Sequence, residues 1–310
     1  MIAKFLDPKN DFLFKRLFGT EKNKDILIYF INNILHLEGR SAVQDVTYLK
    51  TIQDKEVAYK KQSIVDVLCK DQDGVQFVIE MQVSKTPGFE ERAQYYAAKA
   101  YTSQMYVGGK YKDLKEVIFI AISNYIMFPK KEDWKSSHVT LDIKTQEQDL
   151  KAFSFTFIEL PKFDKTIDAL ETVEEKWIYF FKNAHETTEE DFNKFIGTDS
   201  LLKKAFDETT RFSMTEEEWN TYEESLRIEM DNKAVEEQKL MDAEEKGMEK
   251  GMEKGMEKGM EKGLKKGKAE GENRKSREFA LKMLKRNRPV EEIIEDTGLS
   301  EQEITALKGE

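Results

Sequence analysis

Apolar residues recur at helical spacing in two blocks near the start of the chain. The first spans residues 8–18, where Phe14, Leu17 and Phe18 follow Asp11 and Gly19 supplies a stop. Residues 24–36 form the second, with Ile26, Leu27, Phe30, Ile31, Ile34 and Leu35 as its core stripe. The period then changes from helical to alternating. Residues 43–50 read as a strand, and residues 63–84 read as two β-rich runs on either side of Asp71-Gln72-Asp73-Gly74. Those four residues have turn chemistry, so the stretch reads as a hairpin. If residues 72–74 form a three-residue loop with Gly74 in the left-handed conformation, Asp71 faces Val75 and Asp66 lies opposite Glu80. Asp66, Glu80 and Gln82 then point to one face, and Val65, Val67, Cys69, Phe77, Ile79, Met81 and Val83 to the other.

Residues 88–107 return to helical period through Phe89, Ala93, Tyr96, Ala97, Ala100 and Tyr101. Residues 116–123 are nearly all apolar, as expected of a strand buried on both faces. Residues 153–160 alternate as a half-buried strand that Pro161 ends. Helices are predicted over residues 172–183, through Phe195 and Phe206, and from Thr215, where Thr215-Glu-Glu-Glu218 fits a capping box. Residues 247–263 repeat Gly-Met-Glu-Lys four times. A four-residue period overshoots the helical turn, so the Met stripe drifts by about 40° per repeat and forms no straight coiled-coil seam. That segment reads as a solvated helix or spacer, with an assembly element as the alternative. Residues 276–308 predict short helices over 276–286 and 290–297, a break at Gly298, and a third helix capped by Ser300 and Glu303. This end reads as a small packing or dimer element, with a DNA reader as the alternative. The order predicts an α/β fold, a mixed β-sheet flanked by helices, with a helical C-terminal extension. Four regions are expected: a core at 1–185, an acidic helical support at 186–245, the repeat at 246–275, and a small helical unit at 276–310.

Composition modifies this picture at two points. The net charge of −10 argues against nucleic-acid binding, but residues 1–129 hold 18 basic against 16 acidic side chains and residues 130–245 hold 16 against 30. The acidity therefore belongs to the middle of the chain, and the hairpin's region is slightly basic. The single cysteine, Cys69, excludes intramolecular disulfides and suits a reducing, cytoplasmic setting. Neither a membrane span nor a secretory signal is expected.

The chemistry centres on the hairpin. Two carboxylates directly opposite each other repel unless a cation sits between them, and a divalent metal with oxygen ligands is the simplest one. Asp66 and Glu80 would be its ligands, with the Met81 carbonyl as a further donor and Gln82 placed to orient a water. The competing reading is an ordinary solvated strand face. Arg92, Tyr95, Tyr96, Lys99 and Ser103 fall on one helical surface and mix cations with hydroxyls suited to phosphate oxygens. Asp11 is an auxiliary candidate for the same site. His36, His138 and His185 share no metal-ligand spacing, and no phosphate-binding glycine loop is present.

Seven segments in order carry a resemblance: residues 10–19, Asp66, residues 78–82, residues 92–96, Gly108-Gly-Lys-Tyr111, residues 157–163 and residues 175–181. Over most of residues 5–185 the chain resembles the PD-(D/E)XK nuclease-like transposase family, also described as Rpn-type recombination-promoting nucleases. The resemblance implies a restriction-endonuclease-like core that binds Mg2+, or another divalent cation, through Asp66 and Glu80 and hydrolyses DNA. The superfamily usually has Lys at the third motif position, where this chain has Gln82, with Lys85 and Lys99 as candidate substitutes for the missing ammonium. A catalytically silent DNA-binding or regulatory protein on the same fold is the alternative, and the C-terminal helical region is a candidate homo-oligomer contact.

Overall fold

A computed structural model describes residues 4–50, 52–53 and 63–308. Residues 1–3, on which the expected lack of a signal segment partly bears, and the final two residues of the expected C-terminal unit lie outside the described residues. The chain divides into two compact units, Met1–Glu229 and Met230–Glu310.

In the first unit, α1 (Asp11–Phe18) starts where the Asn10 side chain accepts the amide hydrogens of Phe12 and Leu13. It ends at Gly19, where a Cβ would lie 2.7 Å from the Lys15 carbonyl oxygen. Helix α2 (Lys24–Leu35) buries Ile26, Leu27, Phe30, Ile31 and Ile34 completely and stops at His36, which adopts a left-handed conformation with φ of 53°. A strand β1 (Val46–Tyr48) follows, and a two-residue pair, β2 (Ile52–Gln53) with β3 (Ser63–Ile64), forms a small separate sheet. The expected strand over 43–50 is shorter because the Gln72 side chain, not a strand, accepts the Gln44 amide.

The hairpin forms in the predicted register. β4 (Val67–Asp71) pairs with β5 (Gln76–Gln82) through Val67 opposite Ile79 and Cys69 opposite Phe77. Gly74 turns the chain at a φ of 85°, a conformation an L-residue adopts at a cost of about 1–2 kcal/mol. The chain then crosses through α3 (Phe89–Thr102) to β6 (Val117–Ser123), which lies parallel to β5, and β8 (Phe153–Glu159) adds parallel to β6. β7 (Lys135–Val139) closes that edge antiparallel to β8, giving the order β1-β4-β5-β6-β8-β7. Its sequence, Lys-Ser-Ser-His-Val, carries no apolar alternation, and nothing in the hydrophobic pattern predicts it.

Both faces of the central strands are covered. Val67, Cys69, Phe77, Ile79 and Met81 pack against α1, α2 and three further helices, α4 (Val173–Asn183), α5 (Glu189–Ile196) and α6 (Ser200–Glu208). Leu68 and Val78 pack under Phe89, Ala93, Ala97 and Ala100 of α3. The hairpin face expected to be solvated or metal-filled is therefore roofed by a helix. Val65 joins the α3 side and not the side predicted for it, because the ladder begins only at Val67 and the chain bends at Asp66.

A helix α7 (Glu216–Lys285) starts at a capping box, in which Thr215 and Glu218 exchange hydrogen bonds. Its 70 residues absorb the repeat, where Met248, Met252, Met256 and Met260 are exposed, and also the segment expected as a separate helix over 276–286. In the second unit, Ala280 and Met283 of α7 pack with α8 (Val290–Thr297) and α9 (Glu301–Leu307) through Ile293, Leu299, Ile304 and Leu307. Among the described residues no helix is long and apolar enough to cross a membrane.

Candidate active site

The site lies at the carboxyl end of β5, under the first turns of α3. Strand alternation along β5 sends Glu80 to the α3 side, two residues from Val78, and burial there leaves it 4% exposed. Asp66, one residue before β4, is not part of the ladder. Its Oδ2 accepts the Met81 backbone amide hydrogen at 2.9 Å, which fixes the carboxylate against β5 one residue from Glu80. The Gln82 carboxamide donates from Nε2 to Glu80 Oε2 at 3.2 Å and to the Met81 carbonyl at 3.1 Å. Its Oε1 accepts from Arg92 Nη2 at 2.5 Å. Arg92 in turn lies over the Phe89 ring, 4.9 Å from its centre. Glu80, Gln82 and Arg92 thus form one hydrogen-bonded chain from strand to helix.

Burial pushes the Glu80 carboxyl up to about 8, the negative charge of Asp66 adds to that, and the positive charges of Arg92 and Lys15 oppose it. Asp66 is also raised, first by burial, against the Met81 amide and Lys15. Glu80 Oε1 is buried and has no hydrogen-bond partner. A divalent cation placed between the two carboxylates answers each of these features: it offsets the repulsion, favours the ionised forms, and gives the orphaned oxygen a partner. Among the described residues no group of three His, Cys, Asp or Glu side chains is gathered for a metal. Mg2+ commonly uses one or two carboxylates and fills its remaining positions with water and substrate phosphate, so the donor set here fits it. The Met81 carbonyl, a further donor in the sequence reading, accepts the Gln82 amide.

Hydrophobic patterning missed one residue of this site. Lys15 of α1 places its Nζ 3.7 Å from Asp66 Oδ1 and 2.6 Å from Asp11 Oδ1. Burial works against its charge, but the Asp11 hydrogen bond and the charges of Asp11, Asp66 and Glu80 outweigh it and raise its pKa. An ammonium beside the carboxylates thus comes from Lys15 of α1, a residue that the sequence reading, with Lys85 and Lys99 as its candidates, did not name. Its only sequence signal is the Asp11/Lys15 pair, four residues apart, on the polar side of α1. Asp11 itself is exposed and reaches the carboxylates through Lys15.

Arg92 meets the site directly. Tyr96, half-buried four residues along α3, has its hydroxyl pKa raised by burial and by the negative charge of Glu80. Lys99 stands over the Tyr95 ring, 5.4 Å from its centre, and Tyr95 is 45% exposed. Arg92, Tyr96 and Lys99 therefore mark out successive turns of α3 leading away from Glu80.

No curated protein and no solved structure matches the chain. A family profile does, over residues 8–239, which takes in both carboxylates, α1, α3 and the whole six-stranded sheet. With this much of it matched, the chain belongs to the PD-(D/E)XK nuclease family of transposases, and the mixed sheet with flanking helices is that nuclease-like α/β fold.

Proposed function

We propose that the protein is a metal-dependent DNA endonuclease acting in transposition or recombination, with Asp66 and Glu80 holding Mg2+ or another divalent cation. The observation that carries this reading is the pairing of buried Glu80, with its unpartnered Oε1, and the partly buried Asp66 beside it. When bound, the cation supplies Lewis-acid stabilisation of the phosphoryl oxygens and a lowered water pKa. The remaining roles belong to the chain. Glu80 gives up its proton to become a ligand, so cation affinity increases as pH rises toward about 8. Gln82, held at both ends of its carboxamide, is positioned to orient the attacking water but cannot transfer a proton as an acid would. Lys15 provides fixed positive charge beside the scissile phosphate. Arg92, Tyr96 and Lys99 offer donors to the adjoining phosphodiester backbone. The lone Cys69 is buried, with its thiol pushed up to about 12 by that burial, and so is inert in the reducing cytoplasm proposed for the protein.

In a plasmid nicking assay with Mg2+, Asp66→Ala and Glu80→Ala are each expected to abolish cleavage, and calorimetry is expected to give Mg2+ binding to wild type and not to Asp66→Ala. The alternative, a silent DNA-binding protein, is favoured by the absence of an ammonium at position 82. It requires that wild type bind DNA without cutting it, and unchanged cleavage in both purified variants would sink the endonuclease reading.

A further inference from the structure

The crossover from β5 through α3 to β6 carries the chain from the carboxyl ends of the strands back to their amino ends. The loop after α3, residues 103–116, therefore sits at the far end of the same sheet face. It is tied at its base by the Gln104 side chain, which accepts the Lys115 amide hydrogen at 2.8 Å and donates to the Lys115 carbonyl at 3.0 Å. Gly108 turns at a φ of 90°, in the Gly108-Gly-Lys-Tyr111 stretch to which the carboxylate chemistry gives no role. The loop displays large side chains that no core explains, with Tyr106 73% and Tyr111 86% exposed.

Between this loop and the 71–74 turn lies a cleft of about 230 Å³, lined by Lys70, Gln76, Lys110 and Asp113 among others. Lys70 and Gln76 are a cross-strand pair on the α3 face, the face that also carries Glu80. Gln76 is 6% exposed, and its buried Oε1 has no hydrogen-bond partner. A carboxamide can offer its NH2 to a phosphate oxygen or its oxygen to a sugar or base donor. Lys70 and Lys110 are exposed, two cations against the single carboxylate of Asp113. Lysine, glutamine and tyrosine beside one another are side chains that bind a phosphodiester backbone.

We propose that this cleft is a second nucleic-acid contact, taking the backbone of the DNA flank away from the point of cleavage; the inference rests on the nuclease reading of the carboxylate site. Four strand residues separate Gln76 from Glu80, about 13 Å.

The test is binding of a fluorescent 30-base-pair duplex across a salt series, for wild type, a Lys70→Ala/Lys110→Ala double variant, and Lys203→Ala as an exposed-lysine control. Loss of two phosphate contacts lowers the slope of log K against log salt by about 1.8 and weakens binding, while Mg2+ affinity stays at the wild-type value. An unchanged slope, or an equal loss in the control, overturns the second contact. If the slope is unchanged but Tyr106→Ala/Tyr111→Ala abolishes self-association of the chain, the loop is a protein contact and the proposal also falls. Failure of the nuclease reading looks different: wild type then neither cuts the duplex nor loses Mg2+ binding on Asp66→Ala.

Discussion

Glu80 is the residue on which the chemistry and the stability of this protein meet. Its folded-state carboxyl is raised to about 8 from an ordinary 4.5, so between those values the folded protein holds a proton that the unfolded chain has lost. The folded state binds more protons across that window, and stability falls as pH rises through it. Without divalent cation, the melting temperature of wild type is expected to decline from pH 5 to pH 8, and Glu80→Gln to flatten that decline. Addition of Mg2+ should reverse it at the upper end, where ionisation is required for binding. A wild-type melting temperature that rises over the same interval would contradict the buried, repelled carboxylate. Gln82 and Arg92 show why a strand residue can be a positioned group: alternation aims Gln82 the same way as Glu80, and the helix supplies the guanidinium that holds it.

At the level of elements, the hairpin was legible from sequence almost in full. The turn chemistry of residues 71–74 and the alternation on either side determine the register from Val67 onward, while Asp66, just outside the ladder, is brought beside Glu80 by the bend at Asp66 and the hydrogen bond it accepts from the Met81 amide. Gly74→Ala should cost about 1–2 kcal/mol in urea denaturation, because the left-handed φ penalises any Cβ. A cost near zero would mean that the turn relaxes to another type. Three features could not be read. β7 is an edge strand of polar residues, held by pairing with β8, which leaves no trace in hydrophobic pattern. The face of Val65 followed from the strand's true start, which depends on the tertiary bend at Asp66. Lys15 belongs to the site through the packing of α1 against the sheet, a long-range contact that local spacing does not encode. Of the two forms expected for the repeat, solvated helix or spacer, the chain takes the helix: α7 runs through all of it although each glycine costs about 1 kcal/mol relative to Ala.

At the scale of the whole molecule, the hydrophobic clusters of the two units differ in composition among the described residues: the largest one against the sheet is rich in aromatic side chains, whereas a small one in the second unit is built on Ile293, Leu299, Ile304 and Leu307. Ile293 is fully buried, so Ile293→Ala is expected to cost about 2–5 kcal/mol in the second unit. Mg2+ affinity measured by calorimetry should stay unchanged in that variant, and a parallel loss of metal binding would show that the units do not act independently. The three-residue turn at 72–74 has a further consequence for how such a chain can vary. Substitutions there alter stability by small increments, whereas removal of a single codon slips every cross-strand pair by one place. Because side chains alternate with a period of two, such a slip would set the α3 face of one strand against the opposite face of the other and turn apolar residues toward the wrong layer, and it would move Asp66 out of register with the Met81 amide that holds it. The length of this short loop therefore matters to the site as directly as the identity of its residues does.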